Sequence, residues 1–142
     1  MIGLDCNILI QLALADHPAN VTTVAAIQRE LGNGEKLVFS SLIVTEFLHV
    51  VTDPRRFEPP LSMAEAIDGI EDFRSSDVVG LLDPKEATLN QSLRWMREFS
   101  LGRKRILDTH FAAILHTHGV RRLLTSNPGD FAVFGVFELI VP

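Results

Sequence analysis

The sequence is short of cross-linking material. Its 142 residues hold one cysteine, Cys6. A lone thiol makes neither an internal disulfide nor a cysteine-based zinc site, so a reducing, cytoplasmic setting is expected. No apolar run approaches the roughly 18 residues that a membrane span needs. The opening MIGLDCNILI lacks the basic n-region of a secretory signal, so none is expected. There is no repeat, low-complexity stretch or linker, and the Pro-rich stretch 53–60 is short enough to be a loop. Positive charge is also in short supply. Thirteen Lys and Arg against 18 Asp and Glu leave a formal charge of -5. That argues against nucleic-acid binding through bulk charge, but is compatible with a nuclease that uses a metal and a local basic patch.

What is present is ordinary for a globular chain: 46% apolar and 22% charged residues. The length suits one domain, residues 1–142, with a substantial core. Strand and helix signals alternate from end to end. An apolar strand at 2–5 precedes a helix at 7–15, which His17-Pro18 breaks. A helix at 21–31 has Asn20 as its expected N-cap and closes at Gly32-Asn33-Gly34. A strand at 36–39 and a helix at 42–52 follow. Ser62 and Glu65 are spaced as a capping box for a helix to about residue 73. A strand at 78–82 leads to a helix opened by Asp83-Pro84 and running to about residue 99. After a basic loop at 102–105, Asp108 starts a helix that Gly119 ends. A strand at 122–125, a turn at 126–130 and a strand at 136–141 complete the chain. Such alternation predicts an α/β domain with a mostly parallel sheet of about five strands and helices on both faces.

The informative residues are carboxylates at element ends. Asp5 follows a strand and precedes a helix, where open α/β sheets bind ligands. Glu46 has Leu42, Ile43, Phe47 and Val50 as its helical neighbours, which sets it on or beside a buried stripe. A buried carboxylate must be paired, protonated or metal-bound, and only His49 lies one turn away. Asp108 opens a helix, while Asn127 and Asp130 follow the strand at 122–125. Oxygen ligands converging from these places would repel one another, and a hard divalent cation removes that penalty. An all-oxygen set favours Mg²⁺, with Mn²⁺ as a substitute, over Zn²⁺. Four histidines, His49, His110, His116 and His118, are divided between two helices. His116 and His118 cannot share a helix face, so a histidine metal site is not expected.

Four short motifs in order resemble those of PIN-domain proteins: the opening strand with Asp5-Cys6-Asn7, TEFLHVV around Glu46, LDTHFAAIL around Asp108, and LLTSNPGDF ending at Phe131. The stretch VVTDPRRFEPPLSMAEA resembles the VapC-type toxin branch of that family. The resemblance implies a three-layer α/β/α domain and a Mg²⁺-dependent endoribonuclease, the toxin of a type II toxin–antitoxin pair. It implies that Asp5, Glu46 and Asp108 are the core acids. Asn127 stands where many members carry the fourth acid, and Asp130 is the nearby carboxylate able to replace it. Asn7 and Thr125 match polar residues that orient the acids. The family also implies a homodimer and an antitoxin peptide over an apolar groove.

Five bases fall within residues 94–105: Arg94, Arg97, Arg103, Lys104 and Arg105. Just ahead of Asp108, the last three are candidate RNA contacts, and Arg55-Arg56 and Arg121-Arg122 add smaller pairs. Acids from 58 to 86 mark a face expected to lie away from RNA. A mean hydropathy of +0.21 and nine Phe suggest surplus apolar surface on the first two helices and the helix after Ser62. Two other readings stay open. One is a non-catalytic PIN-fold module binding RNA or protein, supported by Asn127. The other is a phosphotransferase with Asp5 as nucleophile, which Asn7, where that chemistry usually has a second Asp, disfavours.

Overall fold

A computed structural model describes all residues from Met1 to Pro142. Five strands, β1 (Ile2–Leu4), β2 (Leu37–Ser40), β3 (Val79–Leu82), β4 (Arg122–Leu124) and β5 (Glu138–Ile140), form one sheet in the order β3-β2-β1-β4-β5. Every pairing is parallel, in line with the alternation of strands and helices along the chain. The helices are α1 (Cys6–Ala13), α2 (Asn20–Gly32), α3 (Ser41–Val51), α4 (Met63–Arg74), α5 (Glu86–Glu98), α6 (Ile106–Thr117) and α7 (Pro128–Ala132). All residues of β1 and β2, and Leu123 and Leu124 of β4, are buried. A central strand buried at successive positions needs cover on both faces. Helices supply it, giving three α/β/α layers around one core that includes Ile2, Leu4, Phe39, Phe47, Phe111 and Leu123.

Chain order and strand order part company at β1. From there the chain goes to β2 on one side, and returns to β4 on the other. This reversal makes the carboxyl ends of β1 and β4 the topological switch point, where doubly wound sheets form their ligand-binding crevice. Helix α6 lies close against β1. A β-carbon on Gly3 would stand 2.6 Å and 2.8 Å from the Leu115 methyls. The missing side chain thus lets the Asp108 helix approach the strand that ends at Asp5.

Local signals explain most element ends. Ser62 accepts from the Glu65 amide, and Glu65 reaches back to the Ser62 amide, completing the expected capping box. Gly119, at φ 77°, ends α6, with the Val120 and Gly119 amides bonded to the carbonyls of Leu115 and His116. Other ends differ from the sequence expectation. Asn20 is not an N-cap. It lies inside α2 behind Ala19, and its side-chain amide donates to the Gln11 carbonyl at 2.7 Å. That tertiary bond competes with capping for the same side chain. Helix α6 begins at Ile106, so Asp108 lies within its first turn. The basic loop ends in a 3-10 turn, Arg103–Arg105, and the expected turn at 126–130 runs into the short helix α7.

Candidate active site

The site is assembled from the β1 and β4 ends outward. Leu4 is in register with Leu124, so Asp5 and Thr125 leave the sheet side by side. Asp5 caps α1, accepting from the Cys6 amide at 2.7 Å. Its other oxygen accepts from Asn7 Nδ2 at 2.7 Å and Thr125 Oγ1 at 2.6 Å. Thr125 Oγ1 also accepts from the Asn127 amide at 3.0 Å, and Asn7 Oδ1 accepts from the Ser126 amide at 3.1 Å. Asn7 and Thr125 therefore hold Asp5 and the β4–α7 connection in one network. A buried prop lies behind it. Gln11 donates to Ser126 Oγ at 2.8 Å and accepts from Thr23 Oγ1 at 2.6 Å. Thr125→Val removes the donor to a buried carboxylate, and we expect a ~10–100-fold loss of metal affinity. Titration of Mn²⁺ into the folded variant checks this; unchanged affinity would detach Thr125 from the site.

The remaining acids arrive from three helices. Glu46 is half-buried on α3 and has no hydrogen bond or ion pair. Burial raises its pKa, and the charges of Asp5 and Asp108 add to the rise, against a pull from Arg56. Asp108 is pushed up to about 6 by burial first, then by Asp130 and Asp5, with Arg105 opposing. Burial also raises Asp5, outweighing its three hydrogen bonds, and Asp130 contributes. Asp5, Glu46, Asp108 and Asp130 thus lie near enough for their charges to act on one another. Asn127, the N-cap of α7, is exposed and its side chain makes no hydrogen bond. The charge at this end of β4 comes from Asp130 in α7. Cys6, beside Asp5, is buried, and burial with the Glu46 and Asp5 charges holds it as a neutral thiol.

No three His, Cys, Asp or Glu side chains draw together tightly enough to make a closed metal cage. In this respect the convergence expected from sequence is incomplete. A cation that the sequence groups with the RNA contacts lies among these acids instead. Arg105 turns inward, with Nη1 3.1 Å from Asp130 Oδ1 and Nε 3.6 Å from Asp108 Oδ2. The i,i+3 spacing of Arg105 and Asp108 permits this contact but does not single it out, because Lys104 stands at i,i+4 from the same acid. The donor set still suits a hard divalent ion. Its side chains are carboxylates, Glu46 has no partner, and Mg²⁺ usually keeps several waters instead of taking a complete protein cage.

Other candidates lie elsewhere. Arg103 and Lys104 are exposed on the 3-10 turn. Arg122 is at the opposite end of β4 from Thr125, engaged by Glu30, Glu35 and Glu138. His110 meets Ser92, His116 packs on Trp95, and His118 meets the Ile114 carbonyl, so none joins the acids. The acids of α4, Glu65, Asp68, Glu71 and Asp72, are exposed.

Residues 2–135 match the family described as PIN domain. The chain belongs to the PIN domain family. Solved structures of the same fold include a chain of VapBC2 from Rickettsia felis bound to a DNA fragment from its promoter. It is 15% identical, with a TM-score of 0.73, over 99% of this chain and 98% of that one. VapC20 of Mycobacterium tuberculosis, described as a sarcin-ricin loop cleaving toxin, is 16% identical with a TM-score of 0.69, over 97% and 98% of the two chains. A chain of VapBC-1 from nontypeable Haemophilus influenzae is 19% identical with a TM-score of 0.70, over 99% and 98%. No curated protein matches the sequence.

Proposed function

We propose that this PIN domain is a divalent-metal-dependent endoribonuclease, the toxin of a type II toxin–antitoxin pair. The observation that carries the reading is the placing of carboxylates at the β1 and β4 ends: Asp5 bonded to Thr125, Asp108 and Asp130 about one Arg105 side chain, and Glu46 half-buried without a partner. Proteins rarely leave so much like charge together without a cation to use it. Asp5, Glu46 and Asp108 would hold Mg²⁺, or Mn²⁺ in its place, directly or through water, with Asp130 taking the fourth position that Asn127 vacates. Bound there, the ion supplies a water of lowered pKa and offsets charge developing on a phosphodiester. Asn7 and Thr125 orient the Asp5 carboxylate for that task. Arg103 and Lys104, exposed ahead of Asp108, meet backbone phosphates as RNA enters.

An apolar groove of about 470 Å³ runs between α1, α2 and α4, lined by Leu9, Leu12, Ile27, Leu31, Ile70 and Phe73 among others. These are the helices whose stripes suggest surplus apolar surface, and the groove is where an antitoxin segment would lie. A homodimer and a cytoplasmic setting belong to the same reading. No helix is long and apolar enough to cross a membrane.

The test is cleavage of a mixed RNA pool by antitoxin-free protein, with and without EDTA, alongside Mn²⁺ titration. EDTA-sensitive cleavage is the expected result. Neither binding nor cleavage would leave a non-catalytic PIN-fold module binding RNA or protein. Within the site, Asp130→Asn should cost at least about tenfold more activity than Asn127→Ala, on the order of one lost charged ligand. Equal or reversed losses would return the fourth position to Asn127.

A further inference from the structure

Arg105 is unlike the two bases beside it. Arg103 and Lys104 are exposed, whereas the Arg105 side chain is 24% exposed and points among the acids. Its Nη1 stands 3.1 Å from Asp130 Oδ1, and its Nη2 donates to the Asp130 carbonyl. The guanidinium fork therefore grips both the charge and the backbone of α7. Its remaining donor is less well served. Nε is 3.6 Å from Asp108 Oδ2, beyond hydrogen-bond reach, and is buried without an acceptor. An orphaned buried donor carries a desolvation cost, so the Asp108 side of this contact is poorly held.

We propose that Arg105 is an internal counter-cation that competes with the divalent ion for Asp108 and Asp130. The inference rests on the metal-binding reading above. A guanidinium and a divalent ion in one acidic pair repel each other, and the same oxygens cannot satisfy both. Metal entry then requires the fork to release Asp130 and swing clear of Asp108. Because only the released state accepts the ion, apparent metal affinity falls in proportion to the fraction of molecules in that state. The side chain is suited to this. It is always charged, so pH cannot switch it off, and its fork matches a carboxylate in a way lysine does not. It also hangs from a three-residue turn at the lip of the crevice, beside Arg103 and Lys104.

The experiment is calorimetric titration of Mn²⁺ into the full chain at fixed pH and ionic strength. The variants are Arg105→Gln, Arg105→Lys and Arg103→Gln, with circular dichroism confirming the fold. Arg105→Gln should bind Mn²⁺ about tenfold tighter than wild type, a coupling of ordinary size for two linked sites. Arg105→Lys keeps the charge but loses the fork, and should gain about threefold. Arg103→Gln removes the same charge from an exposed neighbour and should move affinity by less than about twofold, since solvent screens it. Equal or weaker binding by Arg105→Gln overturns the competition and makes Arg105 a support for the acids. If Arg105→Gln does not fold, unchanged affinity in Arg105→Lys overturns it equally. A gain in Arg103→Gln equal to that in Arg105→Gln reduces the effect to net charge and also overturns it. Absence of Mn²⁺ binding in wild type and all variants would remove the metal reading itself, a result separable from a wild type that binds with no change on substitution.

Discussion

Glu46→Gln should abolish RNA cleavage while leaving the protein as stable as before, or more so. The expected activity loss is at least ~10³-fold, because a bound ion supplies several kcal/mol of charge stabilisation and each 1.36 kcal/mol is about tenfold in rate. The stability expectation has the opposite sign for a local reason. Glu46 has no hydrogen bond or ion pair to lose. Its charge is half-buried and repelled by Asp5 and Asp108, so neutralising it without changing its shape relieves both costs. A rise of ~2–4 °C in the melting temperature of metal-free protein is the corresponding scale for relief of about 1 kcal/mol. Asp5→Asn should lose as much activity but melt lower, because an amide cannot accept all three of the bonds that Asp5 accepts from Cys6, Asn7 and Thr125. The measurement pairs RNA cleavage with thermal melting for both variants. Retained cleavage in Glu46→Gln would end the site assignment. A large fall in its melting temperature would mean that Glu46 has a structural partner in solution.

Metal-free protein should grow less stable as pH rises from about 4 to 7, contrary to the common pattern of acid denaturation. Asp108 has an ordinary value of 3.8 and is raised to about 6 in the fold. Between those values the native state holds a proton that the unfolded chain has released. The native state binds more protons there, so the free energy of unfolding decreases as pH increases. The contribution is fully present below the unfolded value and gone above the folded one. Asp5 and Glu46 are also raised and act in the same direction. His116 opposes them. Burial and Arg121 lower its pKa, so its unfavourable protonation costs stability as pH falls below 6.5. Glu35, Asp53 and Glu65 are held low by their partners, so they weaken the fold only as pH drops below their ordinary values of 4.5, 3.8 and 4.5. Three raised acids against one histidine predict a melting temperature ~4 °C higher at pH 5 than at pH 7.5, after discounting the solvent-exposed part of Asp108. Mn²⁺ affinity should run the other way, since protons and the ion compete for the same oxygens. Asp108→Asn should flatten the stability profile. A wild-type profile that rises with pH would show that burial does not raise these acids in solution.

The motif acids are legible because each sits where an element begins or ends, or where a pattern breaks. Asp5 closes an apolar run, and Glu46 interrupts a helical apolar stripe. Both patterns survive in one dimension. Asn7 and Thr125 are legible only through the family resemblance, because their partnership spans 118 residues and depends on the register of β1 against β4. Arg105 escapes the sequence for a related reason. Adjacent arginines and lysines read alike in one dimension, and only the 3-10 turn separates an inward Arg105 from the exposed Arg103 and Lys104. Asn20 shows the same limit in the fold. Its capping chemistry is plain, but a carbonyl of α1 takes the side chain instead.

What the sequence determined by itself was the alternation of strands and helices, the capping box at Ser62 and Glu65, the stop at Gly119, and the candidate acids. These depend on contacts within a turn or two, or on the period of apolar residues, and such physics is local. The strand order, the crevice between β1 and β4, the mutual charge of the four acids and the inward turn of Arg105 were decided by tertiary structure. Each depends on which distant segments become neighbours, and on which of several available partners a polar side chain finds once the core has closed around it.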